Sequence, residues 1–548
     1  MAKKKTNETL TTKLNSIQKL DQYFEGKEQL ILWLSIIFTF TFGLLLFEPK
    51  VSIGGDDSMY INRAFNFITN GIFPTFQGPL YPMVVGVLIS VIGVNLIALK
   101  FFSLLCLLAH QWFAFKLFKN YLSPFTLCIF MLLLSSSSAI LYYGSATYNE
   151  TFYLCIQSMF LFHFEKSFIR NSDNTLDLKR DFKKILLSGL LLFLLTITKN
   201  IGLVAVIAVF VYFIFNNNWK VAALITGAFA IFVLSFTVLK SSAWEIKEAQ
   251  ISNQGSTLLL KNPYKPDLGN EDAYGFWLRL VRNSKSYLGY HFINIFGVSK
   301  KNNFGGNTFA TLLIYALFIT GFFTFFKKSK FWLFIGVFIA ISFGATFLAL
   351  QTYWNQERLI IVFTPLLLVY LLYVLYYLFT NPLKKFVAIF IVLIAILAAA
   401  NLYQLFTKIP EQTEVISKYL DGDKYYGFPE DWVNYLNMTK WVKDNLPDDV
   451  YVACRKPGMA FIYSGGKDFY GIWKVPSNDP EELYNKLKDT GVTHVIMANI
   501  RTNPDDPNSR IINTVKRYLG IVNKGYPGKL KMVHQTGENW PAYLYEIH

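Results

Sequence analysis

The sequence predicts a polytopic α-helical membrane protein that ends in a separate α/β or α+β soluble domain. Three observations carry that fold class. The 548-residue chain is 53% hydrophobic and 17% aromatic, too apolar for a soluble enzyme and in the range of chains with many spans. Its apolar residues cluster in runs approaching membrane length. Past residue 402 Pro, Asp, Asn and Gly rise and no such run remains. The formal net charge of +16 does not point to nucleic acid, because Lys and Arg lie mainly between apolar runs and in the tail, without a basic stripe beside base-stacking aromatics. Of four cysteines, Cys106, Cys128 and Cys155 fall inside apolar segments and Cys454 stands alone in the tail, so neither a disulfide framework nor a Cys/His zinc pattern follows.

Residues 1–28 are polar, with Lys3, Lys4 and Lys5 near the start and no cleavage pattern, and read as a cytoplasmic lead into an uncleaved first span. Residues 29–402 form the membrane domain. Spans are expected near 29–48, 97–118, 122–141, 151–168, 185–199, 201–215, 221–239, 308–326, 331–350, 359–380 and 386–402, about eleven in all. The short pair 185–199 and 201–215 predicts a tilt or a bent hairpin around Lys199 and Asn200. The segment 79–96 is apolar enough to span but begins among Pro and Gly. If it lies along or dips into the membrane, the short loops with Lys119, Arg170, Lys179, Arg180, Lys220, Lys327, Lys328, Lys384 and Lys385 all fall on the cytoplasmic side, as the positive-inside rule requires. If it crosses, they all face outward. The segment is therefore read as juxtamembrane or re-entrant, within a loop 49–96 that faces away from the cytoplasm.

The tail, 403–548, reads as a small soluble domain on that outer face. DWVNYLNMTKWVKDNLP is an amphipathic helix, DDVYVACRKP a strand, PEELYNKLKDTG a helix stopped by Gly491 and THVIMANI a strand. NTVKRYLGIV is a helix and MVHQTGENWPAYLYEI a terminal strand pair. The GGK at 465–467 lacks the spacing of a phosphate loop and reads as a turn.

Polar features recur at the outer ends of spans. Asp56 and Asp57 follow the first span, with Tyr60, Arg63 and Ala64 next at helical spacing; a solvated helix cap is the plainer reading, and a site the sharper one. Glu150 in YYGSATYNETFY opens a later span, where a dipole partner for the helix is the alternative. Asn149, Glu150 and Thr151 also match a glycosylation sequon, discounted because it hugs the membrane. Lys199 in TITKNIGL is a cation between apolar runs; it either snorkels or answers an anion. Arg358 in QTYWNQERLIIVFTP sits beside Glu357, a local ion pair being the alternative. Carboxylates and cations on one membrane face suit transfer from a lipid-phosphate donor, with a carboxylate to take a proton and Lys/Arg to hold the departing phosphate. The histidines form no HExxH, and no GxSxG is present, which argues against a hydrolase.

The order of GGDDSMY, GPLYP, IGVNLIALKFFS, YYGSATYNETFY and TITKNIGL resembles the GT-C class of integral-membrane glycosyltransferases, over roughly residues 29–400. Within it the chain looks like the bacterial branch of aminoarabinose–lipid A transferases and protein O-mannosyltransferase-like enzymes. The resemblance implies an inverting transfer of a sugar, at the periplasmic side of the bacterial inner membrane, from a polyprenyl-phosphate donor to a lipid, glycan or protein acceptor. It makes Asp56 the general base, with Asp57 the pair's second member, and gives Glu150 to an acceptor or metal site. Lys199 and Arg358 go to the donor phosphate. There are departures. Phe76, Gln77 and Gly78 stand where aminoarabinose relatives carry Glu-Lys, which argues against a zinc site and against aminoarabinose. Met59 replaces an arginine, leaving Arg63 as its candidate substitute at the donor phosphate. No cofactor is specified, and a divalent metal ion on the carboxylates is left open for want of ligand spacing. The rival reading is a transporter or flippase of lipid-linked glycans; pseudo-repeats and broken helices at the midplane would mark it, whereas these charges gather at one face.

Overall fold

A computed structural model describes residues 15–75, 78–170, 178–246, 258–263, 268–298, 305–503, 506 and 508–548. The first two thirds of the chain are helical. Among the described residues six helices are long and apolar enough to cross a membrane, including Glu28–Leu45, Leu96–Phe118, Trp219–Ala243, Thr308–Phe325 and Lys330–Ala349. The remaining apolar stretches are helical but short or interrupted. Glu150–Phe164 has 15 residues before it loosens into a π-helical turn, Glu165–Arg170. At 1.5 Å per residue it reaches about 22 Å, against a hydrocarbon core of about 30 Å. Leu80–Ile92, in the doubtful 79–96 segment, has 13 residues, about 20 Å by the same rise.

Two breaks bear on the site. Leu178–Thr198 ends where Lys199 turns extended, and one short turn, Asn200–Gly202, restarts the chain as Leu203–Phe215. The stretch 122–141, expected as one span, is instead two helices, Pro124–Ser136 and Ser138–Gly144, bent by 58° at Ser137. Serines make the bend tolerable in an apolar setting because they supply their own partners. The Ser137 hydroxyl donates to the Ile295 carbonyl (2.7 Å), and the Asn401 amide donates to the Leu133 carbonyl and the Ser136 hydroxyl (3.0 Å each). The last apolar helix, Val387–Leu420, runs on through polar residues past Pro410 for 34 residues in all.

The C-terminal domain is a mixed five-stranded sheet with helices on both faces. Its strands are β1 (Tyr451–Cys454), β2 (Phe469–Gly471), β3 (Val492–Ala498), β4 (Leu530–Thr536) and β5 (Ala542–Ile547), in the order β2-β1-β3-β5-β4. β1 is parallel to β2 and β3, and β5 is antiparallel to β3 and β4. The period of two sorts side chains to the faces. Val452, Cys454 and Ile496 pack with Trp432, Tyr435 and Met459 of the helices Glu430–Asn445 and Pro457–Tyr463. Ala453 and Val495 face Leu483, Leu487, Val515 and Leu519 of Pro480–Asp489 and Thr514–Gly525. The first face also takes in Val51 from the loop after the first apolar helix, so the domain is seated on the segment that leads to Asp56.

Candidate active site

The helix Asp56–Asn70 carries the acidic pair in its first turn, where carboxylates complement the helix dipole. It starts from Gly55, whose backbone is left-handed (φ +82°), a conformation a side chain would strain, and it stops at Gly71. Asp57, Ser58, Tyr60, Ile61 and Ala64 form its buried side.

The two aspartates have different surroundings. Asp57 is fully buried, and its carboxylate accepts from the Ser52 amide (2.7 Å), the Ser52 hydroxyl (3.0 Å) and the Ser58 amide (2.8 Å). It closes the turn that precedes the helix. Burial pushes its carboxyl above the usual value of 3.8, against the pull of Lys100 and these hydrogen bonds. Asp56 points the other way, with its side chain 40% exposed, and its Oδ2 accepts from Arg358 Nη1 at 2.6 Å.

Arg358 continues the chain of charges. Its Nε lies 3.3 Å from Glu150 Oε1, and the same oxygen accepts from Lys199 Nζ at 2.9 Å. Glu150 is wholly buried at the head of its helix, and its other oxygen, Oε2, is buried without a hydrogen-bond partner. Asp56, Arg358, Glu150 and Lys199 thus form one continuous cluster whose ion pairs join residues 49, 208 and 302 positions apart. Arg63 lies two turns along the Asp56 helix and interacts electrostatically with Asp56 and Tyr60. Glu357, the local partner considered for Arg358, is not in its ion-pair set; the arginine reaches across the fold instead.

The residues that support these side chains had no role assigned from the sequence. The Arg358 guanidinium lies over the Tyr148 ring (4.5 Å), and the Tyr148 hydroxyl is 2.6 Å from the Ser52 hydroxyl that holds Asp57. Lys100, buried within its apolar helix, donates to the carbonyls of Lys50 (2.5 Å) and Ser145 (3.1 Å) and so ties the Asp56 loop to the Glu150 loop. The Asn149 amide donates to the Thr198 carbonyl (3.1 Å), which fixes the helix end before Lys199. The loop before Arg358 is held by Tyr287, whose hydroxyl donates to the Trp354 carbonyl (2.6 Å), and by His291, whose Nε2 is 2.5 Å from Asn355 Oδ1. Tyr60 buries its hydroxyl without a partner, within electrostatic reach of Glu150, Arg358 and Asp56.

Neither a protein-family model nor a curated protein sequence matches the chain. Solved structures do. The oligosaccharyltransferase AglB of Archaeoglobus fulgidus, solved with an inhibitory peptide and a dolichol-phosphate, is similar at TM-score 0.53 and 12% identity over 86% of this chain and 69% of that one. The apo oligosaccharyltransferase of the same organism gives 0.54 and 13%, over 94% and 80%. ArnT from Cupriavidus metallidurans bound to undecaprenyl phosphate gives 0.53 and 12%, over 94% and 97%. The chain has the GT-C fold. At such identity the likeness concerns the backbone, and the chemistry of this chain has to be argued from its own side chains.

Of the departures from aminoarabinose relatives, Phe76 and Gln77 lie outside the described residues. Among the described residues no three His, Cys, Asp or Glu side chains gather as a metal-ligating group. The two acids of the cluster are bridged by Arg358, and the engaged Glu150 oxygen already receives two cations. As arranged, the engaged oxygens of Asp56 and Glu150 answer Arg358 and Lys199, which leaves fewer donors than a divalent ion takes.

Proposed function

We propose that the chain is an inverting glycosyltransferase that moves a sugar from a polyprenyl-phosphate donor to a lipid, glycan or protein acceptor. The observation that carries this reading is the polarity of the charge cluster. Asp56 is its exposed end, Glu150 is sealed within it, and two cations, Arg358 and Lys199, lie directly behind the exposed carboxylate. Asp56 takes the proton of an acceptor hydroxyl or amine as the acceptor attacks the anomeric carbon. The bond from that carbon to the phosphate oxygen breaks on the opposite side, and the electron pair leaves with the polyprenyl phosphate. Arg358 and Lys199 stabilise the negative charge that grows there, with Arg63 a third cation on the same side. A positioned base of this kind contributes about 10²–10⁴-fold. Glu150, sealed behind Asp56, keeps the two cations oriented when no phosphate is bound. Asp57, held by Ser52, sets the turn rather than the chemistry.

Solved neighbours with dolichol-phosphate and with undecaprenyl phosphate support a lipid phosphate as the leaving group. Span parity and the basic short loops support the periplasmic face of a bacterial inner membrane, with about eleven crossings and the C-terminal domain outside. Mass spectrometry of envelope glycolipids and glycoproteins from cells with and without the chain is the test of sugar and acceptor. A species missing one sugar residue is expected. Purified protein that moves a lipid-linked sugar between leaflets but releases no free polyprenyl phosphate would instead be the flippase.

A further inference from the structure

The loop before Asp56 is held from the far end of the chain. Lys456, at the start of the short helix Pro457–Tyr463 in the C-terminal domain, donates from Nζ to the carbonyls of Ile53 and Gly54, 2.9 Å each. These are the two residues before Gly55, the left-handed hinge of the Asp56 helix. The contact is built rather than incidental. Gly458 sits so close to the Asp56 helix that a Cβ there would lie 2.9 Å from the Ser58 and Met59 backbone, so only glycine admits the approach. Phe461 packs on Phe65 with ring centroids 5.0 Å apart. Tyr435 anchors the lysine's backbone through a hydroxyl that donates to the Lys456 carbonyl (3.1 Å). A second tie runs the opposite way, from Lys50 Nζ to the Tyr426 carbonyl at 2.7 Å.

We propose that Lys456 is a positioning residue of the active site: the soluble domain, through this side chain, sets the turn from which Asp56 is presented. Charge-assisted bonds to two consecutive carbonyls fix the direction of the peptide planes that feed Gly55. The domain is thereby part of the transferase site rather than an appendage. The groups facing Lys456 are Arg455, which disfavours its charge, and Asp56 and Asp57, which favour it. Burial dominates and draws the ammonium down to about 8. The clamp therefore weakens as pH rises through that value, because a neutral amine donates less strongly.

Amide hydrogen exchange on the full-length protein in detergent tests this without any substrate. The reporters are the Ser52, Gly55 and Ser58 amides, which donate to Asp57, to the Ser52 carbonyl and to Asp57 respectively. Lys456→Met is expected to speed exchange across 50–60 by about tenfold or more while β1 and β3 keep their protection, and Lys456→Arg to restore most of it. Raising pH from about 7 to about 9.5, after correction for intrinsic exchange, should open the same peptide in the parent protein but not in Lys456→Arg. Unchanged exchange in Lys456→Met, a loss spread equally through β1 and β3, or an identical pH response in Lys456→Arg would each overturn the proposal. The role in catalysis rests on the transferase reading, and its readout is separate. With an undecaprenyl-phosphate-linked sugar, Lys456→Met should lower kcat and leave KM for the donor unchanged. A parent protein that transfers nothing fails that reading, and the exchange result still decides the clamp.

Discussion

Arg358 spans the gap between Asp56 and Glu150, donating from Nη1 to one (2.6 Å) and presenting Nε to the other (3.3 Å). A guanidinium can do this because its donors diverge in one plane; an ammonium offers a single centre. Arg358→Lys should therefore keep the charge yet lose one of the two contacts. The expected transfer rate is lower by about 10–10³-fold, with Tm changed by only a few degrees. Parent-like rates in Arg358→Lys, measured in single turnovers, would show that the bridge is not needed.

Lys199 and Glu150 form a buried pair, with side chains 17% and 0% exposed. Breaking such a pair from one side strands a charge at a cost of about 3–5 kcal/mol. Arg358 also compensates Glu150, so Lys199→Met is expected near the lower end of that range. Adding Glu150→Gln should recover part of the loss, because the stranded charge is gone. Unfolding of the single and double variants gives the coupling directly, and strict additivity would contradict the pairing.

Asp57 accepts the Ser52 and Ser58 amides on different oxygens. Asn offers only one acceptor oxygen, so Asp57→Asn should leave one amide unpaired, at a cost of about 1–3 kcal/mol. Its pH dependence has a definite sign. A carboxyl whose folded value is raised binds its proton more tightly in the folded state, so its contribution is greatest below the unfolded value of 3.8 and is lost as pH climbs through the folded one. Tm followed across that acidic window should decline with rising pH in the parent relative to Asp57→Asn. A flat difference between the two would refute the assignment.

Lys100 crosslinks two loops through two backbone carbonyls. Lys100→Met should leave the helix packed but free the Asp56 and Glu150 loops from each other, which limited proteolysis with thermolysin would report as faster cleavage at those loops than in the parent.

The convergence of Asp56, Glu150, Lys199 and Arg358 was legible because each sits at the end of an apolar run, and parity put those ends on one side. The break at Lys199 was legible too, since two short runs met there. Most of the tail's elements followed from period and turn chemistry, but the three-residue strand Phe469–Gly471 and the seven-residue helix Pro457–Tyr463 were too short to carry a period. What supports the site was not readable. Lys100 was legible only as the basic residue of IGVNLIALKFFS, with no role attached, and Lys456 looks like a surface lysine 403 residues from Ile53. Both bind backbone carbonyls, which leave no signature in a sequence. The bend at Ser137 was hidden for a related reason: an apolar window averages over the serine run 135–138 that makes it.

The central claim is that Asp56 takes the acceptor's proton, and it is tested by the release of free undecaprenyl phosphate from a lipid-linked sugar donor by purified Asp56→Asn. The carboxamide keeps the shape and a contact for Arg358 but is no base, so the expected rate is about 10²–10⁴-fold below the parent's, with undecaprenyl phosphate still bound. Release at the parent's rate would contradict it.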